Sequence, residues 1–320
     1  MKILIFSQVF WPENFKINDL CIDLIKRGHE VTVVTGKPNY PQGNFYNGYG
    51  FFSKIRSKFN GIEIYRLPII PRKSGSALML SLNYLSFVIS GSIFSIFHRK
   101  KYDCSFVFAV SPITSAIPAI FYKKFYKTKF NLWVLDLWPE AATVTGKLKN
   151  YFIIKLLDKL VKYIYNSADR IYVSSNYMKT PILKKLKTKK NTKIYYFPNW
   201  AEDSFDYRKS NIKKFSKIIP KGFKVMFAGN ISYAQDFPSI IKCAKILKKN
   251  SNIKIIILGN GSFKKYLLKK IKKYNLDNIF YLGSYDLNDM KNFYVHADVM
   301  LLTLKNDLIY NYTVPGKFQG

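Results

Sequence analysis

The stretch FAGNIS, Phe227 to Ser232, decides how the chain reads. It follows a strand-like run, Phe223 to Met226, that only Lys224 interrupts. Beyond it, Phe237, Ile240, Ile241, Ala244 and Leu247 recur at the spacing of one helix face, in a helix starting near Asp236. A strand, a turn of small residues and a helix N-terminus together offer backbone N–H groups to an anion. The expected fold class is α/β, with this turn opening a nucleotide-type domain.

The alternation continues toward the C-terminus with strand 253–258, helix 263–274, strand 279–283, helix 287–296 and strand 298–304. On the other side, 198–222 combines a Pro-Asn-Trp run, mixed charges, Pro220 and Gly222, and reads as an interdomain linker. Before it lies a first alternation. Its strands are 2–7, 30–35, 61–68, 104–110, 130–135, 170–175 and 193–197, and its helices include 17–25, 77–97, 113–126 and 151–167. The expectation is two Rossmann-like domains facing across a cleft, residues 1–205 and 206–320. Ligands of open α/β sheets sit beyond the carboxyl ends of strands. The informative residues are therefore those just after strands, among them Gln8 to Asn14, the long loop 36–50, Ser111, and Asp136 to Glu140.

A net charge of +33 is extreme and suits phosphorylated substrates, an anionic membrane surface or nucleic acid. It also suits plain solvated helix faces, since lysine is spread along nearly every helix. No recognised nucleic-acid motif concentrates the charge, so nucleic acid is not an expected partner. The three cysteines, Cys21, Cys104 and Cys243, show neither pairing nor metal spacing, which fits a reduced, cytoplasmic protein. Residues 77–97 carry no charge and are long enough to span a bilayer. Five serines, an asparagine and a glycine make that a poor span. A helix packed on the sheet or lying at the membrane interface is expected, with Arg72, Lys73 and residues 98–101 (HRKK) as basic flanks.

Six ordered motifs carry a resemblance: the run from WPENFKINDL to NGYG (11–50), LDLWPE (135–140), PNW (198–200), VMFAGNISYAQ (225–235), ILGNGSFKKYL (257–267) and TVPGKFQ (313–319). Together they resemble family-4 glycosyltransferases of the GT-B fold. The similarity is nearest to the WbuB-like branch, associated with L-fucosamine transfer in bacterial surface-polysaccharide clusters. The resemblance implies a retaining transferase that moves a sugar, such as an N-acetylated deoxyhexosamine, from a UDP-linked donor to a lipid-linked saccharide. It implies a peripheral position on the inner face of the cell membrane, with a role in O-antigen or capsule synthesis. It also implies that no metal or other cofactor is needed, the nucleotide-sugar being a co-substrate.

Residue roles follow the motifs. The donor would meet Gly229, Asn230, Ser232, Gln235, Gly259, Gly261, Gly283, Ser284, Lys317 and Gln319. Many relatives carry Arg and Lys where this chain has Asn230 and Gln235, so Lys317 is the expected replacement cation, acting as a point charge on the diphosphate. Gln319 stands for the second Glu of the family's Glu-x7-Glu signature, and the first falls on Asn311. Asp136 and Glu140 are the catalytic candidates, an acidic pair at a strand end suited to proton handling or to capping the next helix. Glu13, Asn14, Lys16, Asn39, Tyr40 and Trp138 are the acceptor candidates. Asp236 is expected as a helix N-cap.

Two other readings stay open: a non-hydrolysing nucleotide-sugar 2-epimerase, which shares the fold, and an inactive membrane- or nucleic-acid-binding relic. The chain stops at Gly320, inside the last motif. The resemblance implies further strands and a returning helix, so a C-terminally truncated second domain of weak stability and weak activity is expected.

Overall fold

The structure is a computed structural model; it describes residues 1–320 except 74, 145–147, 149, 188–193, 202–205 and 319–320, and the side chains of Tyr207 and Lys317 also fall outside it. Two compact units emerge: Met1–Pro198 with Asn311–Thr313, and Asn199–Tyr310 with Val314–Gly320.

The first unit runs β1 (Lys2–Phe6), α1 (Lys16–Lys26), β2 (Glu30–Gly36), β3 (Arg56–Phe59), β4 (Ile62–Leu67), α2 (Ala77–Phe97), β5 (Cys104–Ala109), α3 (Ile117–Tyr126), β6 (Lys129–Val134), α4 (Glu140–Val144), α5 (Tyr151–Ser167), β7 (Arg170–Val173), α6 (Lys179–Lys185) and β8 (Ile194–Tyr196). Its sheet has the order β3-β4-β2-β1-β5-β6-β7-β8. The pairs are parallel except β3–β4, where the charged RSKF strand lies antiparallel along the edge. The strands can be almost wholly apolar because helices cover a parallel sheet on both faces. Leu4, Ile5, Phe6, Val33, Val34, Leu132, Trp133 and Val134 are all fully buried.

The helix predicted over 77–97 is present as α2, but it is inside out. Its buried row is Asn83, Phe87, Gly91 and Ser95. Leu85, Ile89, Ile93 and Phe97 point outward, 55, 52, 53 and 74% exposed. It is the one helix among the described residues long and apolar enough to cross a membrane. Gly91 lets it approach α3: a Cβ there would lie 2.6 Å from Cγ of Pro118.

The second unit runs β9 (Phe223–Ala228), α7 (Phe237–Leu247), β10 (Ile253–Leu258), α8 (Lys264–Lys273), β11 (Ile279–Gly283), α9 (Leu287–Tyr294) and β12 (Val299–Met300), with sheet order β11-β10-β9-β12, all parallel. Phe227, Phe237, Ile240, Ile241, Ile255 and Ile257 form its core on one face. The predicted strand 298–304 pairs with β9 only over its first two residues and then continues as irregular backbone.

The supposed linker needs correction. Residues after Lys209 are part of the second unit, because Phe215 stacks on Phe293 (centroids 4.0 Å apart) and packs with Ile219 under the sheet. The backbone N–H of Asn211 also donates to the side chain of Asn292, at 2.6 Å.

Candidate active site

The strand order places the functional loops. In the first unit the chain winds outward both ways from β1 and β5, so their following loops diverge and leave a crevice at the strand ends. Gln8 lies there after β1. Its Nε2 donates to Oδ1 of Asn83 on α2 (2.7 Å), and Asn83 donates in turn to the carbonyl of Ile70 (2.6 Å). Ser111 follows β5 and Asp136 follows β6. Ser111 Oγ donates to Asp136 Oδ2 (2.8 Å) and accepts from the indole of Trp138 (3.1 Å). Burial pushes the Asp136 carboxyl above its ordinary range, and the Ser111 bond opposes this. Burial also raises the Tyr84 phenol; Arg72 works against this and Asp136 adds to it.

Glu140 opens α4 but is not a free carboxylate. Lys185 of α6 donates to Glu140 (2.7 Å), to the carbonyl of Trp138 (3.0 Å) and to Asp158 (3.0 Å). One largely buried ammonium thus ties the 138–140 turn to α5 and α6. Nothing in the pattern of 179–187 marked Lys185, because it sits in one of many Lys-rich runs.

Two acceptor candidates are bracing groups. Glu13 is buried and accepts from the N–H groups of Asn39 (2.8 Å), Tyr40 (2.7 Å) and Phe10 (3.3 Å). Its carboxyl is raised by burial, against the pull of those amides and of Arg72. Asn39 is also buried, donating to the Lys37 carbonyl and accepting from the Arg72 N–H. Asn14 and Tyr40 are exposed, and Lys16 and Trp138 half-buried. Arg72, which lies 5.2 Å from the ring centroid of Tyr40, joins them.

In the second unit the loops after β9 and β10 interlock. Gly229 N–H donates to Leu258, Ile231 N–H to Asn260, and Phe263 N–H to Ile231. Gly259 N–H reaches the carbonyl of Gly283 after β11. The closeness demands glycine: a Cβ on Gly259 would lie 1.9 Å from the Gly229 carbonyl oxygen, and one on Gly261 2.3 Å from that of Ile231. These amides, expected to face an anion, are engaged in holding the turns together. Asn230 and Ser284 are exposed; Ser232 and Gln235 are half-buried. Asp236 occupies the N-cap position of α7 in a left-handed conformation (φ 42°) and makes no side-chain capping bond, contrary to its expected role.

A cation missed by the sequence reading stands at this turn. The segment after β12 runs beside 233–235, with the Lys305 N–H on the Ala234 carbonyl (2.9 Å) and Thr303 Oγ1 on the Gln235 carbonyl (2.5 Å). Lys305 Nζ rests 3.0 Å from the ring centroid of Tyr233. β9 is flanked by β10 and β12, so this is the place where successive loops diverge. Of the candidates expected here, the Lys317 side chain and all of Gln319 lie outside the described residues. Among the described residues no cluster of His, Cys, Asp and Glu is arranged to hold a metal.

Residues 208–307 match the family Glycosyl transferases group 1. The chain has the GT-B fold. The "Putative colanic acid biosynthesis glycosyl transferase WcaI" of Escherichia coli K12 is 24% identical over 310 residues, 89% of this chain and 73% of that protein. The "Probable glycosyltransferase WbjE" of Pseudomonas aeruginosa is 30% identical over 198 residues, 59% of this chain and 47% of that protein. HepE of Anabaena, solved with UDP-glucose, superposes with a TM-score of 0.60 at 14% identity, over 95% of this chain and 74% of its own. At that identity the superposition speaks for the fold.

Proposed function

We propose that this chain is a glycosyltransferase that moves a sugar, with retention, from a UDP-linked donor to a lipid-linked saccharide during surface-polysaccharide synthesis. The observation that carries the donor half is the glycine-locked turn after β9 and β10, inside the matched segment, with Lys305 beside it. Its locked backbone and the Lys305 ammonium beside it suit a departing diphosphate. HepE, which binds UDP-glucose in its crystals, supports the nucleotide. WcaI, named for colanic acid biosynthesis, supports the polysaccharide. L-Fucosamine is the sugar favoured by the WbuB-like motifs.

Proton handling on the acceptor side rests on Asp136, since Glu140 is paired with Lys185. The outward apolar row of α2, flanked by Lys73 and Arg99, supports attachment to an anionic membrane surface without crossing it, and in this reading the enzyme works at the inner face. No metal enters the reaction in this reading.

The test is a panel of nucleotide-sugars titrated against the chain, followed by product analysis with a prenyl-diphosphate saccharide. A thermal shift with UDP-sugars and a product of retained anomeric configuration are expected. Binding of none of the panel, or release of a 2-epimer instead of a glycoside, would overturn the assignment. Lys305→Ala should weaken UDP-sugar binding about tenfold, equivalent to about 1.4 kcal/mol. Unchanged affinity would remove Lys305 from the donor site.

A further inference from the structure

Two cations in the first unit have no place in the chemistry above. Lys37 and Arg66 are both completely buried. They come from neighbouring strands: Lys37 follows the last residue of β2, and Arg66 on β4 is registered with Thr35. Buried like charges need strong compensation, and these have little. The Lys37 ammonium donates to the carbonyl of Ser53. Arg66 Nη2 donates to the carbonyl of Trp11 (2.7 Å), while Nε and Nη1 are buried without a hydrogen-bond partner among the described residues. The guanidinium also faces the rings of Tyr49 and Trp11, with centroids 5.1 and 5.8 Å away. Glu13 is the carboxylate that acts on Arg66, but its oxygens are held by three backbone amides.

Burial and the charge of Arg66 lower the Lys37 pKa to about 8, as expected of two cations without an anion between them. The cover over them is the loop between β2 and β3. It supplies a neutral carbonyl (Ser53) and a ring (Tyr49), and a third cation, Lys54, lies 4.5 Å from the centroid of that same ring. Its tip turns Phe51, Phe52 and Ile55 into solvent. An anion entering beneath this loop would replace one carbonyl and fill both orphan donors with charge-assisted bonds.

We propose that Lys37 and Arg66 form an anion subsite of the first unit, closed by Tyr49 and Ser53, that takes the diphosphate group of a substrate. The subsite belongs to the first unit and the donor turn to the second. Its use by a lipid-linked acceptor rests on the transfer reading; its affinity for diphosphate does not.

Calorimetry with three probes tests it: inorganic diphosphate, farnesyl diphosphate and UDP, each against the whole chain and against Lys37→Met, Arg66→Lys and Lys305→Ala. Lys37→Met removes a buried charge and should fold, which circular dichroism would verify. The expected result is diphosphate binding that weakens at least about tenfold in Lys37→Met and Arg66→Lys and is unchanged in Lys305→Ala. UDP should show the opposite pattern. Tighter binding of farnesyl than of inorganic diphosphate would support a lipid-linked source, and equal binding a free diphosphate source. Undiminished diphosphate affinity in folded Lys37→Met, or no binding to the wild type, would overturn the subsite. A chain that binds diphosphate through Lys37 yet transfers no sugar would sink the transferase reading and leave this one standing.

Discussion

Lys185 shows how one side chain can organise a turn it does not belong to. It joins Glu140, Asp158 and the Trp138 carbonyl while only 12% of its side chain is exposed. Lys185→Met leaves two carboxylates without their cation. Glu140 is 45% exposed and water recovers much of its loss, so the cost should be about 1–2 kcal/mol, read as a lower melting temperature. If Lys185 positions the Ser111–Asp136–Trp138 group, kcat should fall further than the stability loss explains, and Lys185→Arg should restore most of it. Lys37 makes a pH prediction. Its folded pKa of about 8 lies below the ordinary 10.5 of the unfolded chain. Below about 8 both states are charged and the folded one carries the full penalty. Between 8 and 10.5 the unfolded chain holds the extra proton, so stability rises with pH across that window. Denaturant melts of wild type and Lys37→Met should converge as pH climbs through it, with Arg66, Glu13, Tyr49 and Lys54 common to both proteins. Parallel curves would mean that Lys37 titrates normally.

At the scale of elements, the α2–α3 contact is the most exacting. Gly91→Ala gains about 1 kcal/mol of helix propensity and loses about 1–3 kcal/mol to overpacking against Pro118. A net loss in chemical denaturation is expected, and a gain would show that α2 moves freely on α3. Gly259→Ala should be worse, at least about 2 kcal/mol, because its Cβ meets fixed backbone at φ +128°. Most elements were legible in the sequence, since buried parallel strands are continuous apolar runs and their helices keep a clear period. Those missed had no such signal. β3 is RSKF, charged and stabilised by pairing with β4, where Arg56 bonds Glu63. α6 is seven residues long, with Ile182 as its buried residue. The face that α2 buries was equally hidden, because its composition is apolar all round, and only the i, i+4 row of Asn83, Phe87, Gly91 and Ser95 marks the inner side.

Across the whole molecule, the loop positions of the candidate site followed from the strand ends, but their partners did not. Which loops touch depends on sheet order, and periodicity does not encode that. Lys305 reaches Tyr233 because β12 lies beside β9, and Gln8 reaches Asn83 because α2 covers the end of β1. In the sequence Arg66 is one residue of a strand, and its burial beside Lys37 appears only when β2 and β4 pair. The outward row of α2 also bears on handling of the protein. Copies carrying a charge of +33 repel one another in dilute buffer. Added salt shortens that repulsion to about 8 Å at physiological strength and about 3 Å at 1 M. The apolar rows of two copies can then meet. The protein should therefore sediment as a monomer at low ionic strength and self-associate as salt is raised, the reverse of what charge pairing would give. Replacing Leu85, Ile89 and Ile93 with serine should abolish that colloidal instability.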